Sequence, residues 1–261
     1  METENRYSLM IEALAELAPE IEAARTQPRR RQARLSSVLS DHTPLPRAAL
    51  FLGLAEDGLP VLLNLLDPVP GALLVAGDSA SGKTRLLQTI ARSIDRVHQP
   101  QEVQYGVITA HPEEWANLPS THNRVALFSA RGDEAGALLD SLAAWAHSNR
   151  GEKQSVLLLV DDLCAVTALD FEARQNLRWL LLRGPARRVW PIVAVDPSKA
   201  AEVSEWLELF RTRCFGSLEN DNHIRFLAGA ASDALRTLEA GSQFAIAEDG
   251  GWLKFRLPEL D

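Results

Sequence analysis

The sequence predicts an α/β domain with a mostly parallel central sheet, helices on its flanks and an antiparallel C-terminal edge. From about residue 47, short apolar runs alternate with stretches of helical periodicity. The inner apolar runs lack polar alternation, as expected for parallel strands buried on both faces. Near the C-terminus the runs follow each other closely, which favours antiparallel pairing. These runs are "RCFGSLE", "HIRFLAG", "QFAIAED" and "WLKFRL".

The elements of the main domain can be taken in chain order. "AALFLGLAEDGLPVLLNL" predicts two strands around an Asp-Gly turn. "GALLVAG" predicts a buried strand, and "KTRLLQTIARSID" the helix that follows it. Further strands are predicted at "VQYGVITA", "RVALFSA", "SVLLLVDD" and "VWPIVAVDPS", and further helices at "EAGALLDSLAAWAHSN" and "FEARQNLRWLLLRG".

The chain of 261 residues is long enough for one main domain and an appendage. We predict an N-terminal helical arm and linker over residues 1–45 and the main domain over 46–261. Apolar residues at helical spacing predict an amphipathic helix over 5–25, and "RTQPRRRQAR" is a basic run after it. This arm is either a solvated helix with a tether or a surface that docks a neighbouring subunit, a protein partner or DNA phosphate.

Composition excludes several classes of protein. The net charge of −8 argues against a protein that coats nucleic acid by bulk attraction. No apolar run reaches the roughly 18 residues of a membrane span, and the N-terminus does not read as a signal peptide, so we expect a cytoplasmic protein without a membrane partner. Cys164 and Cys214 are expected to be buried free thiols, and the scattered histidines predict no metal site.

One motif carries specific chemistry. The segment "GDSASGKT" matches G-x-x-x-x-G-K-[ST], between a predicted strand and a predicted helix. Such a loop lets backbone N–H groups converge on phosphate oxygens, a lysine reach the β- and γ-phosphates, and a hydroxyl bind Mg²⁺. The predicted ligands are therefore ATP and Mg²⁺. The predicted nucleotide-binding residues are Gly77, Asp78, Ser79, Ala80, Ser81, Gly82, Lys83 and Thr84.

A second motif is the apolar strand that ends in two aspartates. Asp161 at the carboxyl end of this strand is predicted to bind the Mg²⁺ together with Thr84. Asp162 is predicted to orient or deprotonate the attacking water. Alternatively, the two carboxylates cap the next helix. Aspartate is one methylene shorter than the commoner glutamate at the second position, which leaves slow hydrolysis open.

The order of these motifs resembles the motor domain of the FtsK/SpoIIIE/HerA group of P-loop ATPases. The resemblance runs from about residue 50 to 257, and "RGPARR" before "VWPIVAVDPS" and the segment "RTRCFGSL" narrow it to this group. It implies a RecA/FtsK-like fold, ATP bound between subunits of a homo-oligomeric ring, often a hexamer, and double-stranded DNA moved through its centre.

The resemblance also assigns roles by position. The strand "PIVAVDPS" corresponds to the sensor strand, but Ala194 and Val195 stand where the group usually has Thr-Gln. Arg213 matches an arginine placed near the nucleotide at the subunit boundary, and Arg211 lies close to it. The predicted catalytic residues are thus Lys83, Asp162 and Arg213. Alternatively, either arginine is a solvated residue on an edge strand.

Two departures weaken the inference to a DNA pump. "TAHPEEW" replaces the usual Asp-Pro-Lys turn, and no winged-helix extension is recognisable after the motor. The favoured function is an ATP-hydrolysing DNA translocase domain. The alternative is a nucleotide-gated structural or regulatory subunit with weak or no hydrolysis that binds a protein partner. A small-molecule kinase sharing the phosphate loop is a third hypothesis, which the C-terminal strands suit poorly.

Overall fold

The computed structural model describes residues 33–149, 153–229, 232–248 and 251–261, in which ten strands form one sheet. Arg34–Asp261 is one compact unit. The strands are β1 (Ala49–Ala55), β2 (Pro60–Asn64), β3 (Leu73–Ala76), β4 (Val103–Thr109), β5 (Arg124–Ser129), β6 (Ser155–Val160), β7 (Val189–Val195), β8 (Thr212–Phe215), β9 (Gln243–Glu248) and β10 (Gly251–Arg256).

One helix precedes β1 in the chain, and the others lie between strands. The α-helices are α1 (Leu35–Asp41), α2 (Lys83–Val97), α3 (Asp133–Ser148), α4 (Leu163–Thr167), α5 (Phe171–Arg183), α6 (Ser204–Leu207), α7 (Asp221–Ala228) and α8 (Asp233–Arg236). Short 3₁₀ helices cover Pro112–Trp115, Pro185–Arg187 and Pro197–Val203.

The strand order is β2-β1-β10-β9-β8-β3-β7-β6-β4-β5. The six strands from β8 to β5 are parallel, and the other four pair antiparallel. The predicted fold class is therefore confirmed. Because the carboxyl ends of the parallel strands meet at one edge, the segments that follow β3, β7, β6, β4 and β8 come together there.

Two apolar layers cover the sheet, one on each face. On β3, Leu74 and Ala76 belong to the layer that includes α3 and α5, whereas Leu73 and Val75 belong to the layer that includes α2. This division follows from the period of two along a strand. Burial on both faces explains why the inner strands read as unbroken apolar runs.

The strands that form the antiparallel edge differ in part from those that the sequence predicts. β9 and β10 pair as expected, and the hairpin β1–β2 completes the edge through β10. "RTRCF" instead forms the parallel strand β8 inside the sheet. The prediction of a strand at "HIRFLAG" is wrong, because Asn220 caps a helix there and accepts a hydrogen bond from Asn222 N. Buried Ile224 and Leu227 have helical spacing.

The N-terminal part of the described chain packs on the sheet. Leu35, Val38 and Leu39 of α1 are buried with Phe51 of β1. Leu35 N donates to Glu259 O at 2.8 Å, which joins α1 to the C-terminal segment. The predicted helix over 5–25 and the arginines at 29–31 lie outside the described residues.

Further observations concern the cysteines, possible metal ligands and possible membrane-spanning helices. Cys214 is buried, Cys164 is half-buried, and both are free thiols. Across the described ranges, no group of three or more His, Cys, Asp or Glu residues could hold a metal ion. No helix in the part of the chain that the structure describes has the length and apolar character needed to cross a membrane.

Candidate nucleotide-binding site

The phosphate-loop motif lies between β3 and α2, as the sequence predicts. Gly82 precedes the first residue of α2 and has a φ of 95°. A Cβ on Gly82 would lie 2.9 Å from Gly241 O, so both the backbone conformation and the contact require glycine. The loop therefore leads directly into the N-terminus of a 15-residue helix, whose backbone N–H groups favour anions.

The remaining loop residues divide between the tip and the base. Ser79 and Ala80 are exposed at the tip, whereas Ser81 is fully buried. A Cβ on Gly77 would lie 2.5 Å from Ser81 Oγ, so the base of the loop is closely packed. Asp78 Oδ2 accepts a hydrogen bond from Glu219 N at 2.8 Å, which anchors the loop to the segment between β8 and α7.

Lys83 lies over the loop. Its Nζ donates to Gly77 O at 2.6 Å and to Asp78 O at 2.9 Å, and lies 4.0 Å from Asp196 Oδ2. Burial lowers the pKa of Lys83, while the carboxylates of Asp196, Asp161, Asp78 and Asp162 act in the opposite direction. The ammonium group is thus held at the loop where phosphate oxygens would be bound.

Thr84 and Asp161 meet although they are 77 residues apart in sequence. Thr84 Oγ1 lies 3.0 Å from Asp161 Oδ1 and donates to this carboxylate. Asp161 Oδ2 accepts hydrogen bonds from Thr109 Oγ1 at 3.2 Å and Trp115 Nε1 at 3.0 Å. Burial raises the pKa of Asp161, and these three donors act against that rise. The arrangement brings together the two residues predicted to bind Mg²⁺.

Asp162 has the capping geometry that the sequence left as an alternative. Its Oδ1 accepts from Cys164 N at 2.9 Å and Ala165 N at 3.3 Å, and so caps α4. Its Oδ2 lies 3.8 Å from Lys199 Nζ. One carboxylate oxygen is therefore engaged in capping, and the other is paired with a half-exposed lysine. The predicted role of Asp162 toward water remains a prediction.

The end of β7, between β3 and β6, offers one charged group. Ala194 and Val195 are buried in the sheet, so neither presents a polar side chain. Asp196 follows them, and its Oδ1 accepts from Ser198 N at 3.0 Å and Ser198 Oγ at 2.7 Å. Partial burial of Asp196 works to raise its pKa, but the hydrogen bonds from Ser198 and the charge of Lys83 lower it overall.

Arg213 lies apart from the phosphate loop and from the Thr84–Asp161 pair. In the sheet, Arg213 of β8 lies beside Leu74 of β3. At the rise per residue of a β-strand, Leu74 is about 10 Å from Gly77, where the loop begins. Arg213 donates to Leu207 O at 2.8 Å and Leu227 O at 2.5 Å, and burial lowers the pKa of its guanidinium. Because β8 is an inner strand, the alternative of a solvated edge-strand arginine is wrong for Arg213. Arg211 is exposed.

Two site residues were missed by sequence reasoning. Thr109 lies near the end of the predicted strand "VQYGVITA", and Trp115 follows that strand. Both belong to the segment "TAHPEEW", which was noted only for lacking an Asp-Pro-Lys turn. The available signal was the position of Thr109 at the end of a strand neighbouring the acidic one. Nothing in the sequence indicates that the Trp115 indole reaches Asp161, because that contact depends on strand order.

The donor set fits ATP and Mg²⁺. Thr84 and Asp161 offer a hydroxyl and a carboxylate, the hard oxygen ligands that Mg²⁺ prefers. Gly82 opens the loop at the start of α2, and Lys83 provides a cation beside it. Asp196 Oδ2, 4.0 Å from Lys83 Nζ, is a carboxylate oxygen that could accept a hydrogen bond but cannot bind phosphate.

Comparisons with known proteins were made by sequence and by structure. No protein-family model matches the sequence, and no curated protein matches it. The cytoplasmic domain of the Type VII secretion ATPase EccC of Thermomonospora curvata is similar in structure, with a TM-score of 0.64 and 17% identity. That match covers 82% of this chain and 27% of the EccC chain.

Further solved structures are also similar. The cytoplasmic domain of EssC has a TM-score of 0.66 and 15% identity, over 88% of this chain and 46% of that chain. The pCW3 conjugation coupling protein TcpA has a TM-score of 0.61 and 13% identity, over 84% of this chain and 68% of the TcpA chain. The chain thus spans less than half the length of the EccC and EssC chains. It has the fold of the ATPase domains of the FtsK/SpoIIIE/HerA group, which confirms the resemblance stated from the motifs at the level of the fold.

Proposed function

We propose that the protein binds ATP with Mg²⁺ at the loop of residues 77–84 and hydrolyses it. The observation that carries this proposal is the 3.0 Å contact between Thr84 Oγ1 and Asp161 Oδ1, beside Lys83. These residues come from separate parts of the chain and have the chemistry that a magnesium nucleotide needs.

Each residue has a defined task in this proposal. The loop N–H groups and Lys83 bind the phosphates, and Thr84 and Asp161 hold the Mg²⁺. The metal ion, when bound, neutralises charge that develops on the phosphates. Asp162 Oδ2, the oxygen that does not cap α4, orients the attacking water and accepts its proton. Lys199 Nζ lies 3.8 Å from that oxygen.

We further propose that the protein acts as a ring on double-stranded DNA. The support is the fold shared with the conjugation coupling protein TcpA and with the genome packaging NTPase B204 of Sulfolobus turreted icosahedral virus 2. B204 has a TM-score of 0.50 and 14% identity, over 73% of this chain and 99% of that chain. With a net charge of −8, contacts with DNA would have to be local. In such a ring, Arg213 or the exposed Arg211 would stabilise phosphate charge on a neighbouring subunit.

A second candidate is a nucleotide-gated regulatory subunit that hydrolyses little ATP. The observation favouring it is the state of the catalytic positions: Asp162 caps a helix, and Ala194 and Val195 are buried and apolar. A protein partner would then read the bound nucleotide. One similar structure contains ATPases 2 and 3 of EccC with a signal sequence peptide, so this fold accommodates a peptide partner in that protein.

The experiment that separates the candidates is steady-state ATP hydrolysis with and without double-stranded DNA. Lys83→Ala serves as the blank, and ATP binding is measured in parallel. DNA-stimulated turnover supports the motor. Tight ATP binding with turnover no better than the blank supports the regulatory subunit. Phosphate transfer to a metabolite, without DNA or assembly, would instead identify a kinase. Full activity in Lys83→Ala would defeat the site assignment.

A further inference from the structure

Two buried donors besides Thr84 hold one oxygen of the Asp161 carboxylate. Thr84 Oγ1 lies closer to Oδ1, at 3.0 Å, than to Oδ2, at 3.3 Å, whereas Oδ2 also accepts hydrogen bonds from Thr109 Oγ1 at 3.2 Å and Trp115 Nε1 at 3.0 Å. Trp115 is 1% exposed and Thr109 is equally buried. Two buried donors on one oxygen restrict rotation of the carboxylate, because rotation would leave both donors without an acceptor.

The 3₁₀ helix Pro112–Trp115 also contacts the helix that begins at the phosphate loop. Gln88 Nε2 donates to Glu114 O at 2.9 Å. Gln88 lies four residues after Thr84 on α2, so the two side chains lie on the same face of that helix. One short segment therefore contacts both elements that supply the predicted Mg²⁺ ligands, α2 through Gln88 and the end of β6 through Trp115.

We propose that Trp115 is a positioning residue for the magnesium site, assisted by Thr109. The indole N–H and the threonine hydroxyl hold Asp161 Oδ2 so that Oδ1 stays aligned with Thr84 Oγ1 for a shared metal ion. Trp115 does not touch the metal ion or the nucleotide in this proposal. The proposal rests on the function proposed above, because it assigns a task to the segment that supports the same site.

The structure offers a matched control for a test of Trp115. Trp190 on β7 is also 1% exposed and belongs to the same apolar layer, but its Nε1 has no hydrogen-bond partner among the described residues. Trp115→Phe and Trp190→Phe therefore delete the same atoms from the same layer. Only Trp115→Phe removes a hydrogen bond to Asp161.

The experiment measures binding of a fluorescent ATP analogue by anisotropy, first in EDTA and then across a Mg²⁺ titration. For Trp115→Phe we expect the Mg²⁺ concentration at the midpoint to rise roughly ten- to a hundredfold, the usual effect of removing a group that orients a metal ligand. Affinity in EDTA should stay at the wild-type value. Trp190→Phe should match wild type in both measurements.

A second pair of variants keeps the test decisive if Trp115→Phe does not fold. Thr109→Val removes the hydroxyl at similar volume, and Thr109→Ser retains it. We expect Thr109→Val to raise the Mg²⁺ midpoint and Thr109→Ser to restore it. The intrinsic fluorescence change on Mg²⁺ binding should also be smaller in Trp115→Phe than in Trp190→Phe, because the Trp115 indole contacts the ligand carboxylate.

The outcomes distinguish this proposal from the proposed function. If wild type binds the analogue with a Mg²⁺-dependent gain in affinity, but Trp115→Phe and Trp190→Phe share one midpoint, the positioning role is wrong and the nucleotide site stands. An equal loss of affinity in EDTA and in Mg²⁺ would also overturn it, since that loss indicates damage to the whole site. Failure of wild type to bind the analogue would overturn the proposed function itself.

Discussion

At the scale of single residues, Asp162 has one observed task and one proposed task. Its Oδ1 caps α4, while its Oδ2, 3.8 Å from Lys199 Nζ, is the oxygen to which we assign the attacking water. Capping needs only an acceptor oxygen, which asparagine supplies as well as aspartate. Proton transfer from water needs the carboxylate. Substitutions at Asp162 can therefore separate the structural task from the catalytic one.

We predict that Asp162→Asn folds with wild-type stability but loses ATP turnover by about a hundredfold, the lower range for removal of a general base. Asp162→Ala should lose turnover equally and lower the free energy of unfolding by about 1 kcal/mol, the usual cost of a lost cap. Denaturant titration and a phosphate-release assay measure the two effects. Undiminished turnover in Asp162→Asn would leave Asp162 with the cap alone.

At the scale of elements, the phosphate loop is shaped by its contact with the turn before β9. Gly82 is close enough to Gly241 O that a side chain has no room, and Arg85 of α2 donates to the same carbonyl at 3.2 Å. The loop is thus held between the sheet and the C-terminal strands. This packing explains why a small change at Gly82 should affect phosphate binding.

Gly82→Ala is expected to abolish ATP binding and to lower the free energy of unfolding by more than the roughly 1–2 kcal/mol that a left-handed backbone with a Cβ costs, because the added Cβ also collides with the backbone of Gly241. Gly58→Ala is the matched control. Gly58 has a φ of 85° in the turn between β1 and β2, with no atom within 4 Å of an added Cβ. Gly58→Ala should lose only the backbone cost of about 1–2 kcal/mol and bind ATP normally. Equal ATP affinity in both variants would contradict the close-packing argument.

Arg213 joins two helices to the sheet. Its guanidinium donates to Leu207 O at the end of α6 and to Leu227 O near the end of α7. We predict that Arg213→Ala lowers the free energy of unfolding by about 1–3 kcal/mol, because two carbonyls lose a charged donor. The exposed Arg211→Ala should change it by less than about 0.5 kcal/mol. Thermal and denaturant unfolding at low protein concentration test both, and equal effects would count against this structural task.

At the scale of the whole molecule, the proposed ring would place an arginine of one copy of the chain at the nucleotide bound to the next copy. If Arg213 acts on nucleotide bound to a neighbouring subunit, Arg213→Ala protein mixed into wild type should reduce turnover more steeply than dilution predicts. Arg211→Ala tested in the same way identifies the exposed arginine as the alternative. A linear decrease for Arg213→Ala would confine it to its own chain.

The net charge of −8 makes the basic run near the N-terminus the natural test of DNA contact. Reversing the charges at positions 29–31 should flatten the dependence of DNA affinity on salt, because each lost phosphate contact reduces counterion release. Affinity measured across a series of salt concentrations gives this slope. An unchanged slope would leave the arm as a tether or a surface for a protein partner.

Sequence alone determined the alternation of strands and helices, the phosphate loop and the acidic strand, because each depends on local periodicity or on a short motif. Tertiary structure determined which residues these features contact. Strand order placed Trp115 and Thr109 against Asp161, and it placed Arg213 inside the sheet instead of at its edge. Such contacts join residues far apart in the chain, so no local pattern encodes them. The helix at "HIRFLAG" likewise depends on a cap at Asn220 and on burial of one face, which an apolar run does not by itself reveal.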